Sequence, residues 1–235
     1  MELPAADAPL IVISAFDKTG KMVEPWASAG YLCYCIDIQH PAGETRVGNI
    51  IFVGCSVYDW QGPSVAGQVA AFFAFPPCTH LAVSGARWFA EKERLNPGTR
   101  VEAMRLVMWA YHYGESLRVP YFLENPVSVI SSEWRKPDYS FNPNEYGGYL
   151  ADSSEDAYTK RTCLWAGGGF VMPNKKPVEP VLGSKMHLLP PSPERANLRS
   201  ATPAGFAHAV FEANCHPHPF HRQMRLFGPD GSGHE

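Results

Sequence analysis

Hydrophobic positions in this chain come in short unbroken runs rather than in long alternating stretches. Leu10-Ile11-Val12-Ile13, Leu32-Cys33-Tyr34-Cys35-Ile36, Ile50-Ile51-Phe52-Val53 and Val69-Ala70-Ala71-Phe72-Phe73-Ala74 are four such runs, and Val119-Pro120-Tyr121-Phe122-Leu123 is a fifth. Runs of this length, rich in β-branched and aromatic residues and bounded by turn residues, predict strands buried on both faces. Between the runs the period changes. Residues 22–29 predict a short helix closed by Gly30, and the segment from Leu81 to Lys92 reads as a helix start. Val101, Met104, Met108 and Tyr111 recur at helical spacing and predict the inner face of a helix over 98–117. Ser200-Ala201-Thr202-Pro203 starts a last helix over 204–213. Strands alternating with helices predict an α/β fold with a doubly wound, mainly parallel sheet. From about Ser128 the chain becomes rich in Pro, Gly, Asn and Asp, so 128–200 reads as loops, and 216–235 as an irregular tail. One domain over 1–215 is expected.

Composition narrows the class. The chain has 235 residues, 45% hydrophobic and 18% charged, which suits one globular domain with a sizeable core. No basic, apolar leader opens the sequence and no apolar run is long enough to span a membrane, so a cytoplasmic protein without a membrane partner is expected. In a reducing compartment the six cysteines do not predict disulfides. Net charge is −3, which argues against indiscriminate coating of nucleic acid. Between residues 157 and 200, however, seven Lys and Arg face only two Glu, a weak signal for a basic face.

The candidate chemistry falls just beyond successive strands, where open α/β sheets place ligands. After the first strand comes Phe16-Asp17-Lys18-Thr19-Gly20, and Gly20 would let backbone approach a ligand closely. Asp37 ends the second strand, 17 residues beyond Gly20, near the spacing at which an acid grips ribose hydroxyls. Asp59 follows the third strand. Phe75-Pro76-Pro77-Cys78 ends the fourth, because paired prolines force a turn. Cys78 is then expected near a helix N-terminus, whose dipole lowers a thiol's pKa. Glu124-Asn125-Pro126 ends the fifth strand. A thiolate can add to C6 of a pyrimidine if a carboxylic acid assists at N3, turning C5 into a nucleophilic carbon. Cys78 and Glu124 are the residues that suit this, with Glu124 held protonated by its apolar neighbours.

With those residues in place, the chain resembles the DNA cytosine-5 methyltransferases, most closely the short phage-encoded members. The resemblance rests on Phe75-Pro76-Pro77-Cys78, on Glu124-Asn125-Pro126, on Tyr158-Thr159-Lys160-Arg161-Thr162-Cys163-Leu164-Trp165 and on Ala201-Thr202-Pro203-Ala204-Gly205-Phe206-Ala207, in that order over residues 10–214. It implies a Rossmann-like class I fold, S-adenosylmethionine as cofactor, and a flipped or single-stranded cytosine of DNA as substrate. By the same resemblance, Cys78, Glu124 and Arg161 are catalytic. Phe16, Asp17, Thr19, Gly20, Asp37, Asp59, Pro76, Thr202 and Gly205 would hold the cofactor. Pro77, Thr79, Ser84, Asn125, Pro126 and Lys160 would hold the substrate. Arg161 would act on the cytosine O2 or near the thiolate.

The chain also departs from that pattern. The family's Phe-x-Gly-x-Gly is here Phe16-Asp17-Lys18-Thr19-Gly20, Thr79 replaces a glutamine, and Cys163 replaces an arginine. Only about 35 residues separate Trp165 from Ala201, too few for a target-recognition domain, so short or absent sequence specificity and a monomer are expected. Two other readings stay open: a pyrimidine nucleotide C5-modifying enzyme, and a non-catalytic DNA-binding decoy. A zinc deaminase is disfavoured because Pro77-Cys78-Thr79-His80 lacks a second cysteine. An amino-group methyltransferase is disfavoured because Cys follows the prolines. No metal is expected: Cys33 and Cys35 read as packing, and Cys215, His216, His218 and His221 as a loose tail. Trp88 and Trp109 read as core, and the aromatic stretch 139–149 more as packing than as strand contacts.

Overall fold

A computed structural model of the chain describes residues 8–185, 190, 192 and 195–215. Its strands are β1 (Leu10–Ala15), β2 (Leu32–Ile36), β3 (Gly43–Val47), β4 (Ile50–Gly54), β5 (Gln68–Ala74), β6 (Tyr121–Pro126), β7 (Tyr139–Phe141) and β8 (Thr162–Gly167). They form one sheet in the order β3-β4-β2-β1-β5-β6-β8-β7. β4, β2, β1, β5 and β6 run parallel, whereas β3, β7 and β8 join by antiparallel pairing. The molecule is thus an α/β protein built on a mixed, mainly parallel sheet.

The five apolar runs are the five parallel strands. β2 is buried at every position and β1 at every position after Leu10, because helices cover both faces. On one face Ile13, Tyr34, Phe72 and Leu123 pack against Ala103, Val107 and Ala110 of α3 (Thr99–Leu117). On the other, Cys33, Cys35, Phe73 and Phe122 pack against Trp26 of α1 (Glu24–Ser28) and against Phe206 and Val210 of the C-terminal helix over residues 204–214. Cys33 and Cys35 are buried there, and burial pushes both thiols up. Phe141 stacks on Phe206 at 3.9 Å and Tyr146 meets the same ring edge-on, so much of the 139–149 stretch is core packing.

Several expectations need correction. β3 is exposed at all five positions and carries no hydrophobic signal. It exists because the two-residue turn Gly48-Asn49, with Gly48 at φ +59°, folds it back onto the edge of β4. The region read as loops contains a short helix α4 (Ile130–Glu133), β7 and β8, and β8 extends the sheet by pairing with β6 from Tyr121↔Gly167 to Pro126↔Thr162. Glu124, Asn125 and Pro126 end β6, as expected. The buried stripe of α3 is Ala103, Val107, Ala110 and Gly114. Val101 is 56% exposed, and it joins Met104 and Met108 in an outer groove of about 1340 Å³ that none of the predicted site residues lines. Small residues are inside because α3 packs closely: a Cβ on Gly114 would press into the Tyr121 ring. Trp88 is 48% exposed, and Trp109 is half-buried, stacked on Tyr113.

β1 sends the chain to β2 on one side, and β5 continues to β6 on the other. The crevice outside the carboxyl ends of β1 and β5 is the switch point, where such sheets bind ligands. No helix among the described residues is long and apolar enough to cross a membrane. The calls on His216, His218, His221 and the tail lie outside the described residues.

Candidate active site

The loop leaving β1 closes on itself. Phe16 adopts φ +59°, a left-handed conformation that bulky residues avoid and that often marks a functional site. Asp17 turns inward. Its Oδ1 accepts the Gly20 N–H (2.7 Å), the Thr19 N–H (3.0 Å) and the Thr19 hydroxyl, and its Oδ2 accepts the Ser14 hydroxyl (2.7 Å). Burial pushes the Asp17 carboxyl up, and these donors oppose the shift. Asp17 therefore builds the turn, and its charge is spent on the protein itself. Gly20, at φ +70°, ends that turn against the Phe52 ring.

A cavity of about 910 Å³ opens over the switch point. Phe16, Thr19, Asp37, Ile38 and Val57 belong to its β1–β2–β4 side. Asp37 stands at the end of β2, its Oδ1 accepting the Gln39 N–H at 2.7 Å. Pro76, Pro77, Cys78 and Thr79 come from the end of β5, and Ser84 from the segment that follows. Glu124, Asn125 and Pro126 come from β6, and Lys160 and Arg161 from the residues entering β8. Arg199, of α5 (Arg195–Ser200), and Thr202 close the far wall.

Hydrogen bonds fix the two key loops to each other. The Asn125 amide donates to the Pro76 carbonyl at 2.8 Å, in a buried position. The Cys78 carbonyl accepts the N–H groups of Leu81 and Ala82, the Val83 N–H reaches the Val127 carbonyl, and the Val129 N–H reaches that of Leu81. Cys78 and Glu124, 46 residues apart in sequence, are thereby held in one cavity.

The electrostatics differ from expectation at Cys78. It begins a tight turn leading into a 3₁₀ helix (Val83–Trp88), and the α-helix α2 (Phe89–Leu95) starts eleven residues later, so the α-helix N-terminus expected directly after it is not there. Burial pushes the thiol up, Glu124 pushes it further, and Lys160 and Arg199 oppose them. Glu124 is half-buried, with its Oε1 shut off from solvent. Burial pushes its carboxyl up, Lys160 opposes the shift, and its Oε1 has no hydrogen-bond partner. Arg161 is exposed, and its guanidinium donates to the Ser140 hydroxyl at 3.2 Å.

Three predicted cofactor residues do not line this cavity. Gly20 is one; Asp59 is another, exposed on the loop after β4, where Cys55, Ser56, Val57 and Tyr58 form the wall instead. Gly205 is the third. It opens α6 (Ala204–Asn214), its N–H donates to Asp156 Oδ2 at 2.7 Å, and a Cβ there would overlap the Tyr146 carbonyl. Gly205→Ala is expected to cost about 1–3 kcal/mol through this overlap, lowering the melting temperature by several degrees. Thermal denaturation checks this; an unaltered melt would show that the position has room for a methyl group.

Two cations were missed. Lys92 of α2 donates to the Thr79 carbonyl at 2.8 Å and steadies the cysteine loop, and Arg199 had only the local excess of basic residues as its signal. Among the described residues no group of three or more His, Cys, Asp or Glu is placed to hold a metal ion. No model of a known protein family matches the chain, and no curated protein matches it either.

Proposed function

We propose that this protein is a class I, Rossmann-like methyltransferase that transfers a methyl group from S-adenosylmethionine to C5 of cytosine in DNA. One observation carries the reading. A cysteine from the end of β5 and a half-buried glutamate from β6, whose Oε1 is buried without any partner, share a cavity at the sheet's switch point.

The cavity suits the cofactor. Phe16, Ile38 and Val57 offer apolar surface for a flat base, Asp37 offers a carboxylate for ribose hydroxyls, and about 910 Å³ is roomy by the standard of single-ligand pockets. S-adenosylmethionine supplies an electrophilic methyl group. The chain supplies the rest. The Cys78 thiolate forms a bond to C6 while Glu124 gives its proton to N3, which leaves an electron-rich C5. Once C5 is methylated, a base such as water removes the C5 proton, the C5–C6 double bond re-forms, and the Cys78–C6 bond breaks. Glu124 regains its proton from N3. Burial pushes the Glu124 carboxyl up, which favours the protonated form that this step needs.

The test is methyl incorporation. Purified protein with a labelled methyl donor should form 5-methylcytosine in duplex or single-stranded DNA. Label found only in free dCMP would move the reading to a nucleotide-modifying enzyme. No label in polymer or nucleotide would overturn both.

A further inference from the structure

Among the described residues nothing pairs with the outer edge of β3, and all five of its residues are exposed. The bonding pattern of that edge is fixed by its inner neighbours. The Asn49 and Val53 carbonyls accept the N–H groups of Cys33 and Asp37, so these positions face β2, and Ile50, Phe52 and Gly54 of β4 face β3. Their partners Val47, Thr45 and Gly43 spend their backbone groups on β4. Glu44 and Arg46 turn their N–H and C=O groups outward, and their side chains share one face of the strand. Neither is in an ion pair with another described residue. Glu44 accepts the Ser64 hydroxyl at 2.9 Å, and Arg46 donates through Nε to the Gly48 carbonyl at 2.8 Å.

We propose that two copies of this chain pair through that edge, β3 antiparallel to β3 about a two-fold axis at Thr45. An exposed strand edge is a template for another strand, and here the charges set the register. With the axis at Thr45, Glu44 of each copy stands opposite Arg46 of the other. Outward groups then meet outward groups, and each Glu44–Arg46 pair exchanges both of its backbone hydrogen bonds. Registers centred on Glu44 or on Arg46 also match outward groups, but they set like charges face to face, which is destabilising. The segment Gly43-Glu44-Thr45-Arg46-Val47 is therefore complementary to its own reverse. The contact is isologous and closes on itself. It is short, so the dimer is concentration-dependent and weakened by salt. This pairing is independent of the methyl-transfer reading, and it departs from the expected monomer.

The experiment is sedimentation equilibrium of the full chain over roughly 10–500 μM, at low and high salt. The native protein should associate to a dimer, less so at high salt. Arg46→Glu and Glu44→Arg each set like charges opposite one another, and each should weaken the dimer by about tenfold or more. An equimolar mixture of the two variants should recover dimerisation, because every facing pair is then opposite in charge. A native protein that stays monomeric throughout would overturn the proposal. So would a dimer of unchanged affinity in both variants, or a mixture that associates no better than either variant alone.

Discussion

Cys78→Ser is expected to abolish methyl transfer, by on the order of 10⁴-fold or more, the scale of losing a covalent nucleophile. A serine hydroxyl fits the same space but is far too weak an acid to yield an alkoxide in a site that already disfavours charge on the thiol. Glu124→Gln should cost about 10²–10⁴-fold, the range for a positioned general acid, because an amide cannot deliver a proton to N3. Stability should move the other way. The folded state binds the Glu124 proton more tightly than the unfolded chain, so this carboxyl favours folding at low pH. That contribution is lost as pH rises through its raised folded value. Glu124→Gln should therefore melt no lower than the native protein, with a margin growing toward alkaline pH. Product assays and thermal melts at pH 6 and pH 9 check both halves. Full activity in Cys78→Ser would sink the covalent mechanism.

Trp26→Ala should be the most damaging single change to the fold. Trp26 is fully buried and meets Tyr31 edge-on at 5.1 Å, Phe211 edge-on at 5.2 Å and Phe73 at 5.8 Å. It joins α1, α6 and β5 on one face of the sheet. Removing the indole leaves a void that rigid neighbouring rings cannot fill, at a cost of about 3–5 kcal/mol. For a chain of this size that lowers the melting temperature by about 10 °C or more. Trp26→Phe should be much milder, because the indole N–H is buried without a partner and its loss removes an unmet donor. Circular dichroism melts decide this. A Trp26→Ala protein melting within about 2 °C of the native one would show that the face does not depend on this ring.

The legible parts of the site were those written in adjacent residues. Paired prolines before Cys78 announced a turn and the apolar run before Glu124 announced a strand, and both residues line the same cavity. Asp17 lines the cavity but also binds its own loop, Gly205 lies away from the cavity, and sequence hides both facts for one reason. A carboxylate or a glycine in a plausible position looks the same in sequence whether it faces a ligand or its own backbone. Asp17 is consumed by Ser14, Thr19 and Gly20, and Gly205 by Asp156 and Tyr146. The thiol environment of Cys78 was misjudged because an α-helix was expected to begin nearby, whereas a turn and a 3₁₀ helix come first.

By itself the sequence determined the five parallel strands, since a continuous apolar run has to be buried on both faces wherever it lies, and it determined which strand ends carry reactive groups. The tertiary structure decided what surrounds those groups. β3 forms because the edge of β4 offers unpaired backbone, not because its side chains demand burial, whereas β8 also buries Cys163, Leu164 and Trp165 in the core. The inner stripe of α3 is set by how closely Tyr121 approaches Gly114. Lys160 and Arg161 share a cavity with Glu124 because the β6–β8 ladder joins residues some forty positions apart. Pairing across such distances leaves no periodic trace in the chain, and so the charges that tune Cys78 appear only once the sheet is assembled.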